Sequence, residues 1–314
     1  MRRIAAGLIV IMSVLLVSCK GKTGNTITVG SDKLDNTQSY FSESMHKAAR
    51  CDSGYYYLDK CGASADNLMF YDDKSEESIV LCNKPQCGHD GEECMAYISG
   101  SEFKSELYYY NSYIYMISSK GNLVRISADG TQRTDLGSIC VLSGQDSVSM
   151  CFNDGYAYVS QEITGDIEGN VTVRLYRFNL DTGSSDKIYE ETGYGIGINS
   201  LKTYGSDTFF LKTSVSKDDK GLYSLEGKGI FRITGENTEC LLDKNVYSYC
   251  IDADNNKLYY SGLGDGTIYE YDLGSGKSES IYKSDNDTGY FYITFDGNYI
   301  WMDDEGYKGM AMYF

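Results

Sequence analysis

A tyrosine-rich unit repeated six times constrains this chain more than any other feature. Each unit opens on a polar or glycine-bearing turn and runs into an alternating segment. The six are Gly54-Tyr-Tyr-Tyr, Asn111-Ser-Tyr-Ile-Tyr, Asp154-Gly-Tyr-Ala-Tyr, Gly205-Ser-Asp-Thr-Phe-Phe, Asn255-Asn-Lys-Leu-Tyr-Tyr and Asp296-Gly-Asn-Tyr-Ile-Trp. With anchors at Gly54, Asn111, Gly155, Gly205, Asn255 and Gly297, successive units lie 57, 44, 50, 50 and 42 residues apart. Apolar and polar residues alternate with turns every ~8–12 residues, which is the pattern of antiparallel strands. Four strands in a unit of ~40–50 residues point to a β-propeller.

The expected fold is therefore all-β: a six-bladed β-propeller of four-stranded antiparallel blades. Tyrosine, 30 of 314 residues against one tryptophan and one proline, suits a half-buried pleated surface. The last unit supplies three strands, at 290–295, 298–302 and 309–314, and then the chain stops. Thr26-Ile-Thr-Val29 offers the missing fourth strand, so the N-terminal segment is expected to complete the final blade. The alternative is that residues 19–40 are only a flexible tether. Seven blades, through an incomplete unit around residues 205–230, is the competing count. No convincing amphipathic helix is read beyond room for a turn or two near Phe41–Ala49, and Trp301 is expected to pack in the core.

The N-terminus gives an address. Arg2 and Arg3 precede an apolar run from Ile4 to Val17, followed by Leu16-Val17-Ser18-Cys19. A short charged head and a short apolar stretch describe a signal peptide, residues 1–18, not a membrane span. The Leu-Val-Ser-Cys ending resembles a bacterial lipobox. That resemblance implies cleavage before Cys19, a lipid on its sulfur, and an extracellular protein on the outer face of the cytoplasmic membrane. Residues 19–40 then form the tether and 41–314 the propeller.

Charge limits the partners. The formal net charge is −17. It argues against nucleic acid, which needs a basic footprint, and leaves the lipid anchor as the sole membrane contact. The expected protein is a monomer.

Nine further cysteines remain. Cys82-Asn-Lys-Pro-Gln-Cys87-Gly-His89-Asp-Gly-Glu-Glu-Cys94 places three thiols and an imidazole within thirteen residues, enough for one closed structural zinc site. Pro85 and the glycines are expected to let the backbone wrap the ion. A disulfide-stapled loop is the competing reading. Cys51, Cys151 and Cys250 sit near the ends of first strands, each with a companion about ten residues off: Cys61, Cys140 and Cys240. Local disulfides and small buried residues are both open there. Asp252-Ala-Asp254-Asn-Asn256 begins like a calcium loop but lacks the glycine and glutamate such a loop needs, so it reads as an acidic turn. His46 has no visible partner and reads as a surface histidine.

The lipobox, the tyrosine-rich units, Leu81-Cys-Asn-Lys-Pro-Gln-Cys-Gly-His-Asp…Cys94-Met-Ala-Tyr97 and Leu123-Val-Arg-Ile-Ser-Ala-Asp-Gly130-Thr resemble propeller lipoproteins of Gram-positive gut anaerobes. More distantly they resemble TolB-like and low-density-lipoprotein-receptor-type propellers. The resemblance covers nearly the whole mature chain. It implies fold and location and carries over no catalytic residue. Together these readings lead to a surface binding or scaffold module for an extracellular glycan, peptide or protein. A glycan-active enzyme with carboxylates in a central pocket, and a metal- or redox-responsive surface protein, are the alternatives.

Overall fold

The computed structural model describes residues 48–313, except 101, 104–106, 144–145, 166–168, 205–206, 236, 253, 285–288, 290, 296–297 and 305–306. The signal peptide, Cys19, the tether, Thr26–Val29 and His46 lie outside them.

The described residues form 24 strands and no helix. They make six antiparallel sheets that follow one another along the chain. The first holds β1 (Ala48–Cys51), β2 (Gly54–Lys60), β3 (Ala65–Asp72), β4 (Glu77–Val80) and β5 (Tyr97–Ser99). The second holds β6 (Tyr108–Tyr110), β7 (Tyr113–Ile117), β8 (Asn122–Ser127) and β9 (Arg133–Ser138). The third is β10 (Ser147–Asn153), β11 (Tyr156–Thr164), β12 (Asn170–Asn179) and β13 (Ser185–Tyr194). The fourth is β14 (Gly197–Tyr204), β15 (Asp207–Lys217), β16 (Tyr223–Thr234) and β17 (Asn237–Leu242). β18 (Val246–Asp252), β19 (Lys257–Gly262), β20 (Thr267–Asp272) and β21 (Ser278–Lys283) make the fifth. The last has three strands, β22 (Phe291–Phe295), β23 (Tyr299–Asp304) and β24 (Tyr307–Tyr313).

In the second and third sheets the repeated turns join the first and second strands. Asn111 and Ser112, and Asp154 and Gly155, take consecutive positive φ values, as tight two-residue hairpins require. Asp252 holds the corresponding turn of the fifth sheet by accepting the Asn255 N–H at 3.1 Å and its side-chain amide at 2.8 Å, an acidic turn as expected.

Packing runs between sheets. Each of the five core clusters among the described residues lies between two consecutive sheets: Tyr56 and Leu68 meet Ile114 and Met116, and Tyr115 and Ile117 meet Phe152. The later three repeat this between the third and fourth, fourth and fifth, and fifth and sixth sheets. First strands of consecutive sheets also touch, from β1 with β6 through to β18 with β22. This is how propeller blades stack.

The tyrosines explain themselves here. Their rings fill the inter-sheet cores while several hydroxyls end on the backbone of the neighbouring sheet. Tyr56 donates to the Ala128 carbonyl at 3.2 Å, and Tyr249 donates to that of Ser200. Tyr110 accepts from the N–H of Gly155 at 3.2 Å.

One alternative finds no support, one open reading is settled in part and one expectation changes. Residues 207–217 and 223–234 form one long hairpin of the fourth sheet, so they contain no hidden seventh unit. Ala48 and Ala49, where the sequence left room for a helical turn, begin β1 and pair with Tyr57 and Tyr56, while residues 41–47 lie outside the described residues. Trp301 is 46% exposed on β23, with Tyr299 beside it, because its strand position faces away from the buried Ile300 and Met302.

Candidate metal centre

The outer strand of the first sheet is split. β4 pairs with the second half of β3, Met69 opposite Val80, and β5 pairs with its first half, Asn67 opposite Tyr97. Between them residues 82–95 leave the sheet and return. Leu81 and Ala96, fully buried, mark the two ends. Leu68 serves both: its carbonyl accepts the Leu81 N–H at 2.8 Å, and its N–H donates to the Ala96 carbonyl at 2.8 Å. The excursion thus starts and ends at one rung of the ladder, where backbone polar groups are fully used.

Cys82 is its first residue and Cys94 lies near its last. Their Sγ atoms, that of Cys87 and a ring nitrogen of His89 all lie within 4.8 Å of one another. His89 Nδ1 is 3.3 Å from Cys94 Sγ. Tetrahedral zinc with Zn–S near ~2.3 Å sets sulfurs about 3.8 Å apart, so a small contraction suffices. Three thiols and one imidazole are also the donor chemistry that zinc prefers in closed sites. The four residues therefore fit a metal ion.

The turn chemistry differs from expectation. The left-handed conformations belong to Gln86 and His89, at φ 59° each, and not to Gly88 or Gly91. Holding His89 there aims its ring at the sulfurs; residues other than glycine rarely sit in this region without a local reason. The loop is tightened by Lys84, whose ammonium reaches the Glu93 carbonyl at 3.1 Å.

Electrostatics favours deprotonation at one thiol. Burial works against the Cys82 thiolate, but the N–H groups of Lys84 and Met95 and the thiols of Cys94 and Cys87 outweigh it, and its pKa falls. Cys94 is pushed up to about 12, by burial first and then by the neighbouring sulfurs. The cluster holds protons that a cation would displace.

The loop also reaches the second sheet. Asn83 donates its side-chain amide to the Asp129 carbonyl at 2.8 Å, and its backbone N–H to that of Gly130 at 3.4 Å. Gly130, at φ +68°, backs onto Leu81: a Cβ there would sit 2.7 Å from the Leu81 carbonyl oxygen. Sequence reasoning found the four donors but not Asn83, Lys84 or this docking turn.

Among the described residues the other six cysteines form no disulfide. Cys51 pairs with Gly54 at one end of β2, whereas Cys61 follows Lys60 at the other, with β2 extended between them. Seven strand residues span about 23 Å, far beyond the reach of a disulfide. Cys140 packs between the second and third sheets and Cys151 between the third and fourth. Cys240 is exposed on β17 and Cys250 is buried on β18. Burial raises the thiol pKa of Cys151 and Cys250, as expected of small apolar core residues. Among the acids, Glu162 is half-buried and raised by burial, yet its carboxylate already takes the Ile198 N–H at 2.9 Å.

No family model matches the chain, and no curated protein does. Among solved structures, the computationally designed Ika8 protein is similar, with a TM-score of 0.50 at 12% identity over 85% of this chain and 70% of that one. An oligogalacturonate lyase from Vibrio parahaemolyticus gives 0.42 at 9% identity, over 82% of this chain and 85% of that one. A chain of a nidogen–laminin complex gives 0.44 at 11%, over 80% and 87%. The first likeness is one of fold alone, and the other two bear on no residue or activity.

Proposed function

We propose that this chain is an extracellular, lipid-anchored six-bladed β-propeller that works as a binding or scaffold module, with its first blade braced by one structural zinc ion. The observation that carries this reading is the convergence of Cys82, Cys87, His89 and Cys94 on a loop rooted at a single ladder rung. With all four donors supplied by protein, a tetrahedral ion has no open position for substrate, so it stiffens a loop and does no chemistry.

Closure of the ring is part of the proposal. Five inter-sheet cores already follow chain order, and among the described residues the sixth sheet has three strands, to which Thr26–Val29 would add a fourth. The added strand would cover the outer edge of the last blade, and a closed ring gives loops a rigid frame for a glycan, peptide or protein. Cys19 would tether that frame to the outer face of the membrane.

The test is metal content and free-thiol count on the protein purified without chelator. One equivalent of zinc is expected, lost with a fall in Tm in Cys87→Ser and His89→Ala. No metal, with the three clustered cysteines found as disulfides, overturns the zinc reading. Retention of Cys19→Ser in the membrane fraction overturns the anchor. Screening glycan and peptide arrays then addresses the ligand.

A further inference from the structure

The β15–β16 hairpin reaches beyond its own sheet. β16 pairs with β15 along its whole length, from Thr234 opposite Asp207 to Tyr223 opposite Lys217. β17 covers only Ile230 to Thr234. Among the described residues no strand lies beside the outer edge of β16 from Tyr223 to Gly229. Asn245 closes one end of that edge, its side-chain oxygen taking the Gly227 N–H at 2.7 Å. Tyr223-Ser-Leu-Glu226 is left open.

The direction of the open groups follows from strand periodicity. The Gly227 N–H points away from β15, so those of Leu225 and Tyr223 do too. The opposite end agrees: the Asp218 N–H donates to the Leu222 carbonyl at 2.9 Å across the turn, so even-numbered residues face inward. The edge is also apolar. Leu222, Tyr223 and Leu225 are 66%, 61% and 49% exposed, and Tyr194 stacks on Tyr223 at 6.4 Å. An unpaired apolar edge is a template for another strand.

We infer that this edge pairs with the same edge of a second copy of the chain, antiparallel about a two-fold axis through Ser224. In this register Tyr223 faces the second copy's Leu225, and Leu225 faces its Tyr223. Both pairs use outward-pointing groups, so four backbone hydrogen bonds form and no bond to β15 is lost. One patch serves both chains, as two-fold symmetry requires. The side chains agree. Tyr223 and Leu225 share one face and form an aromatic–aliphatic cross-strand cluster with their counterparts. Ser224 meets its own copy on the other face, so no like charges oppose at the axis. The Glu226 carboxylate is already matched by Lys228 at 2.5 Å. Pairing ends before Gly227, so Asn245 stays in place. The dimer departs from the monomer expected from sequence and is independent of the zinc reading.

Sedimentation velocity of the full chain in mild non-ionic detergent tests it. A dimer growing with concentration is expected, with Leu225→Lys raising the dissociation constant at least tenfold at unchanged Tm. Ser224→Cys is expected to give a dimer cross-linked at residue 224 under mild oxidation, while Lys220→Cys gives none there. A monomer at every concentration overturns the inference, as does a dimer indifferent to Leu225→Lys. A monomer whose edge instead takes a synthetic extended peptide overturns it in favour of peptide recognition.

Discussion

Leu81 donates its backbone N–H to the carbonyl of Leu68 at 2.8 Å, and this bond is the last the outer strand makes before the chain leaves the first sheet. Ala96 restores the ladder on the other side of the same residue. The base of the excursion is thus held by the sheet, and only its tip depends on the Cys–His cluster.

Metal removal should therefore loosen the tip and spare the base. Chelation is expected to speed amide exchange over residues 83–93 while Leu68 and Leu81 stay protected. Hydrogen-exchange mass spectrometry checks this, and equal loosening of Leu81 would count against it.

Gly130→Ala should undock the loop from the second sheet. The left-handed backbone alone costs about 1–2 kcal/mol for an L-residue. The new methyl would also meet the Leu81 carbonyl oxygen at 2.7 Å. Lower stability together with weaker metal retention is expected. Thermal unfolding and metal content check the two effects separately.

Tyr56→Phe removes the hydroxyl that donates to the Ala128 carbonyl and leaves that acceptor buried. A loss of about 1 kcal/mol is expected, typical of one net hydrogen bond. Denaturant unfolding at constant m-value measures it.

Glu162 gives a pH signature. Burial raises its pKa above the ordinary 4.5, with the Ile198 N–H and the Ser147 hydroxyl pulling the other way. Between the unfolded and folded values the folded state binds the extra proton, so stability falls as pH rises through that window. Glu162→Gln does not titrate. The wild type should lose Tm relative to Glu162→Gln as pH climbs above about 4.5, with a constant difference below it. Paired melts across pH check the sign.

Much of this molecule was legible in local pattern. The turn anchors at Asn111 and Asp154 became hairpins between first and second strands, and the six units became six sheets. Cys82, Cys87, His89 and Cys94 were visible because four donors within thirteen residues cannot lie far apart. Trp301 was misplaced because a strand has two faces, and alternation alone does not say which one is covered. A disulfide between Cys51 and Cys61, one of the two readings left open, meets a related obstacle: ten residues of separation hold most of an extended strand.

By itself the sequence determined the all-β class, the repeat and the donor set, since each is encoded in contiguous residues through strand period and turn chemistry. Only the tertiary structure decided what those elements meet. Asn83 and Asp129 are 46 positions apart, yet inter-sheet packing makes the Cys–His loop and the Ser127–Thr131 turn one unit. The edge at Tyr223–Glu226, unpaired among the described residues, arises likewise from β17 being shorter than the hairpin it covers. Neither length nor contact is written in the local period, because both depend on how separate sheets stack against one another.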